Sequence, residues 1–225
     1  MKNGRNASLC ALGMTALFFI ALEPAAMAGD QRVGPAPDVN LLGARSLQHA
    51  LSIPAPQNPF HDLTGAHCSL GQSGNTWFLY ITNGNPIGEP VERECTVPLG
   101  KTIFMPIMSW VCLPFPNETV QFAIDGCKEV NDRTDILRLR IDGKARNDLI
   151  ERRASTRSFA LVLPDDNIFG VPASVAVAVH DGYFATLPKL EVGTHTVRVQ
   201  GGTTSEGFTS DVRYRLHIVK PIKLP

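Results

Sequence analysis

The sequence predicts an all-β immunoglobulin-like β-sandwich with two short helical insertions, and three observations predict it. Apolar residues recur with period two in the C-terminal half. Leu137, Leu139 and Ile141 alternate with Arg138 and Arg140, and Val212, Tyr214, Leu216 and Ile218 alternate with Arg213, Arg215 and His217. That alternation is what a strand with one buried face requires. Second, 19 glycines and 17 prolines among 225 residues break these runs into short segments, the spacing of an antiparallel β domain. Third, the densest apolar run, Ile103, Phe104, Met105, Ile107 and Met108, is short and bounded by turn residues, the mark of a strand buried on both faces. A jelly-roll sandwich is the alternative that the same strand count allows.

Taken in order, residues 1–28 read as a signal peptide. Lys2 and Arg5 precede an apolar stretch from Leu9 to Leu22, and Ala26-Met27-Ala28 forms a small-residue cleavage site. The apolar stretch is too short for a membrane span, which leaves no transmembrane anchor after signal removal. Residues 29–37 form a flexible leader, and 38–225 form a single domain. Asp38 or Asn40 caps a helix carrying Leu41, Leu42, Leu47 and Leu51, and the prolines at 54 and 56 stop it. Residues 57–75 are loop-like. Thr76 to Thr82 is aromatic and β-branched, a strand by composition. Asn83 to Pro86 is a turn, leading to a partner strand that ends in Glu92 to Pro98.

The core strand occupies 101–108, with Pro106 at a bulge because proline cannot donate to a ladder. Asn117 fits the cap of an amphipathic helix over 118–131, with Val120, Ala123, Ile124, Cys127 and Val130 on one side. Strands then follow at 137–141, 159–163, 174–179, 182–187, around Val197 and Val199, and at 212–218.

Leu190 to Val199, reading LEVGTHTVRV, resembles the penultimate strand of bacterial immunoglobulin-like modules. The mature chain also resembles a group of bacterial secreted proteins to which no activity is assigned. The matching stretches are ALSIPAPQNP (50–59), GQSGNTWFL (71–79), CTVPLGKTIFMPI (95–107), LPDDNIFGVPA (163–173), DGYFATLPKL (181–190) and GTHTVRVQG (193–201). The resemblance implies an immunoglobulin-like fold and export, and it transfers no site residue.

Cys68, Cys95, Cys112 and Cys127 make an even count in an exported chain, and four cysteines allow three disulfide connectivities. Cys68–Cys95 with Cys112–Cys127 is preferred, because the second pair pins the amphipathic helix to the end of the core strand. No CxxC pair supports a zinc site. His61, Asp62 and His67 are close enough in sequence to suggest a metal site, but solvated loop histidines are the commoner explanation. Asp165-Asp166-Asn167 reads as a turn rather than a calcium loop, whose ligands alternate. Ser109 and the neighbouring Trp110, with His180-Asp181, are the most suggestive pieces of a hydrolase. No GxSxG elbow or HExxH motif accompanies them. The sequence calls for no cofactor and no metal.

Function therefore divides into two classes. The first is a non-catalytic, secreted or periplasmic module that binds an acidic glycan or an extracellular protein. The second is a secreted hydrolase or metal-dependent enzyme built on His61, Asp62 and His67 or on Ser109 and His180. The chain carries 21 basic and 21 acidic side chains, and that balance argues against nucleic acid as a partner. Period-two alternation nevertheless turns Arg138, Arg140, Arg198, Arg213 and Arg215 to one side of their strands. These five are the candidate ligand-binding residues.

Overall fold

A computed structural model describes residues 38–150 and 152–221. The expected signal peptide and leader, 1–37, lie outside the described residues. The described residues form one compact unit.

Two sheets make the sandwich. The first has the order β1-β3-β7-β6, built from Thr76–Phe78 (β1), Thr102–Cys112 (β3), Ser174–Thr186 (β7) and Arg152–Leu163 (β6). The second has the order β2-β9-β8-β4-β5, from Val91–Pro98 (β2), Phe208–Val219 (β9), Gly193–Thr203 (β8), Ile136–Ile141 (β4) and Lys144–Ala145 (β5). Two facing, mostly antiparallel sheets with two short helices make this the all-β sandwich that the alternation predicts. The last strand, β9, lies between an antiparallel β8 and a parallel β2.

Inward positions from both sheets supply the core. Ile103, Met105 and Ile107 meet Leu139, Val197, Val199, Val212 and Leu216. The sheets approach closely at Gly201, where a Cβ would overlap the Ile107 carbonyl oxygen. Only glycine fits there.

The helices cover the first sheet. Helix α1 (Val39–Leu51) is N-capped by Asp38, whose carboxylate accepts from the Asn40 N–H at 3.0 Å. It buries Leu42 against Phe104 and Phe184, and Leu47 and Leu51 against Leu161, Leu163 and Ala178. Helix α2 (Val120–Asp132) packs Ala123 and Cys127 on Val179. Its cap is Thr119, whose hydroxyl accepts from the Phe122 N–H at 3.1 Å. Asn117 instead takes a left-handed conformation, φ 78°, in the turn before it.

Several strand expectations change; the 101–108 strand runs on to Cys112 and the 159–163 strand begins at Arg152. The 76–82 run is a strand only to Phe78, because the chain then leaves the first sheet. The Tyr80 N–H donates to the Tyr214 hydroxyl at 3.1 Å, and the Thr82 N–H to the Ser210 hydroxyl at 3.1 Å. The hairpin between 76–82 and 92–98 is absent among the described residues: β1 pairs with β3 and β2 with β9, both in parallel. The runs 174–179 and 182–187 are one strand, because Gly182 marks a close approach rather than a break. A Cβ there would overlap that of Ser109 on β3. The register does shift between Pro106 and Met108, which puts the proline beside a bulge as expected.

Candidate anionic-ligand face

The outer face of the second sheet is largely open, and the turn at Asn85 and Gly88 covers it at Asp211, which is fully buried. Register decides what it displays: Arg140, Arg198 and Arg213 are directly opposite one another on β4, β8 and β9, and Glu92 on β2 completes the row. Beside it run Arg138, Gln200 and Asp211, and on the other side Thr196, Arg215 and Glu94. Neighbouring strands lie about 4.8 Å apart, so the three arginine backbones of the central row span roughly 10 Å. All five expected arginines thus share one face of one sheet.

Like charges directly opposite one another destabilise a sheet, and three carboxylates offset them. Arg198 grips Asp211 with both edges of its fork, Nε to Oδ1 at 2.9 Å and Nη2 to Oδ2 at 2.7 Å. Gln200 and the Gly88 N–H donate to the same carboxylate at 2.8 and 2.9 Å. Burial alone would push Asp211 up, but these donors outweigh it and hold its carboxyl below the usual range. Arg213 reaches Glu92 at 2.6 Å and Arg215 reaches Glu94 at 3.3 Å, both at exposed positions. Arg140 donates to the Gly143 carbonyl at 3.3 Å. Among the described residues, no carboxylate pairs with Arg138 or Arg140. A shallow depression of about 380 Å³, lined by Glu92, Glu94, Thr196, Arg213 and Arg215, opens beside the row.

The remaining candidates are occupied in local structure. The Asp62 carboxylate accepts from the backbone N–H groups of Thr64, Gly65 and His67 at 2.8–3.0 Å and organises the loop. Partial burial pushes its pKa up, and those N–H groups, with the Arg93 charge, more than reverse it. Among the described residues, no group of three or more His, Cys, Asp or Glu side chains is placed to hold a metal ion. Ser109 and His180 both face α1, and no hydrogen bond joins them. The His180 ring is buried under Gly43, with Nε2 at 3.2 Å from the Asn40 carbonyl, and burial lowers its pKa. Asp181 turns the other way, to Arg153 and Asn131 at 2.6 Å each. Asn167 braces its turn through the carbonyls of Pro164 and Val171. The disulfides are Cys68–Cys95 and Cys112–Cys127, each with Cα atoms 5.8 Å apart. The first ties the 57–75 loop to β2, and the second ties α2 to the end of β3.

Sequence reasoning passed over Arg93. It is almost fully buried, its Nη1 donating to the Tyr80 carbonyl and the Tyr214 hydroxyl at 2.8 Å each. The signal was present: Arg93 shares parity with Cys95 and Val97, the inward side of β2. No family model matches this chain, and no curated protein or solved structure matches it either.

Proposed function

We propose that this protein is an exported, non-catalytic binding module that holds an acidic polysaccharide, uronic or sulfated, across the outer face of its second sheet. One observation carries the reading: five arginines from three adjacent strands share that face, two of them without a carboxylate partner among the described residues. The guanidinium fork takes a carboxylate or sulfate in two places, which an ammonium cannot do. Arg138 and Arg140 make the first contacts. Arg213 and Arg215 exchange their exposed glutamates for ligand oxygens, while Arg198 stays clamped on Asp211 and keeps the row in register.

Five cations against three carboxylates leave a modest excess, so binding is weak and falls as salt rises toward and beyond 0.1 M, where the screening length is about 10 Å. Two disulfides support an extracellular or periplasmic site of action, and no helix among the described residues is long and apolar enough to cross a membrane. The test is retention on a polyuronate or sulfated-polysaccharide resin at low salt. The wild type is retained and elutes with moderate salt, and the Arg138→Glu/Arg140→Glu protein flows through. A wild type that flows through at low salt would remove the basis of the proposal.

A further inference from the structure

A second surface, independent of the arginine face, lies along the open edge of β3. Strand β1 pairs with β3 only over Thr102 to Phe104. The next residues of that chain cross to β9, as the Tyr80 and Thr82 bonds record, and a gap opens in the first sheet where they leave. The ladder shows which groups face the gap. Leu187 N–H donates to Ile103 O on the β7 side, and Leu79 N–H donates to Phe104 O on the β1 side. Beyond the bulge, Met108, Trp110 and Cys112 are opposite Tyr183, Asp181 and Val179, which have the same parity on β7 as Leu187. Ser109 and Val111 therefore turn their N–H and C=O groups away from β7, toward the open side. Among the described residues, no hydrogen bond reaches those groups.

Other edges of the sandwich are blunted. The Gln48 side chain donates to the Ala160 carbonyl on β6 at 2.8 Å, and Asn40 accepts from the Ser155 N–H at 3.1 Å. On β2, the Glu94 N–H donates to the Thr64 carbonyl at 2.8 Å. Along β3 the edge instead opens into an apolar cleft. A cavity of about 210 Å³ borders Met108 to Val111, walled by Leu47, Leu51, Phe60, Phe169 and Phe208, with Ile81, Thr82 and Asn83 at its rim. A wider depression of about 490 Å³ continues from Val111 to Pro116. Among the described residues, no charged side chain lines either one. The Trp110 indole N–H is buried there without an acceptor.

We propose that this edge is a strand-addition site for an extended, uncharged peptide segment of a partner protein. The segment pairs its main chain with Ser109 and Val111 and places side chains alternately toward Leu47 and Leu51 on one side and Trp110 and Phe208 on the other. The walls are mostly apolar, with Thr82, Asn83 and Ser109 their polar members, and neither carries a counter-charge, so a charged residue entering the cleft would lose its hydration without compensation. Pro106, on the same side of β3, has no N–H to offer and marks where pairing stops.

The test uses the intact chain and capped peptides of alternating valine and threonine, read by fluorescence anisotropy. One peptide is unmodified, one is N-methylated at the alternate residues of one edge, one at those of the other edge, and one carries central aspartates. Methylation on the pairing edge and the aspartates each weaken binding about tenfold or more, while methylation on the opposite edge leaves it unchanged. Ser109→Pro weakens the unmodified peptide in the same way. Should that variant misfold, the peptide series on wild-type protein still decides. Equal binding of all N-methylated forms would overturn the proposal in favour of a simple apolar slot. The absence of saturable binding would also overturn it. So would sedimentation showing a dimer that the peptide dissociates, since the occupant would then be a second copy of this chain.

Discussion

The two sheets of this sandwich treat their outer faces in opposite ways. On the first sheet, α1 lies over Phe104, Phe184 and His180, and every polar group beneath it must find a partner in the protein or go without. On the second sheet the same pleat points arginines outward, where register and the carboxylates of Asp211, Glu92 and Glu94 arrange them. A side chain under a helix is tied up in holding the fold, and one on an open sheet is free to meet a ligand. That distinction separates His180 from Arg140, although both are candidate functional residues in the sequence.

Mutations should follow that division. Phe104→Ala, which empties a fully buried site stacked 5.3 Å from Phe184, should cost about 3–5 kcal/mol in a denaturant titration. Removing the Cys112–Cys127 link by a double serine substitution should cost about 3 kcal/mol, from its short closed loop. Asp211→Asn is intermediate: it weakens the clamp on Arg198 and should cost about 1–3 kcal/mol at neutral pH. A loss above that range would mean that this corner of the second sheet matters to the fold as much as the covered face does.

Acid should separate the two sheets by sign and by window. The pKa of His180 is lowered from 6.5 by burial, so the unfolded chain takes up its proton first and stability falls as pH drops through and below that value. His195 is raised by its bond to Asp142 at 2.8 Å. Its contribution is complete below 6.5 and is lost as pH rises through the higher folded value. The depressed carboxyl of Asp211 adds stability above its ordinary 3.8 that is lost as pH falls below it. Thermal melts of His180→Gln, His195→Gln and Asp211→Asn should each flatten their own window. The smallest effect belongs to Arg138→Glu/Arg140→Glu, within about 0.5 kcal/mol of wild type, even though it abolishes retention on the polyanion resin. A large loss of stability there would make those arginines structural after all.

Much of this was legible in the residues because alternation records burial directly. Arg138, Arg140, Arg213 and Arg215 had to share the side opposite Leu139 and Tyr214, and the cysteine pairs followed from which segments they flank. Strand partners were less legible, since pairing depends on contacts that no local window contains. Nothing in TWFLYIT reveals that Tyr80 will leave β3 for Tyr214. The start of β6 at Arg152 was hidden for another reason: its face toward α1 needs the small Ala154, so no apolar rhythm marks it. Gly182 read as the start of a separate strand because its steric role depends on Ser109, more than seventy positions away.

The parallel pairing of β2 with β9 also has a consequence in time. A chain enters an oxidising compartment from its N-terminus, and both disulfides join consecutive cysteines, so each ring can close there before the C-terminal strands have arrived. Sheet completion cannot be local in that way. Val91 to Pro98 finds its partner only in Val212 to Val219, and β8 also waits for that strand. The covalent frame can thus be finished first, and β9 then enters between β2 and β8. A chain ending before Phe208 would carry both disulfides and still leave β2 and β8 without the strand between them.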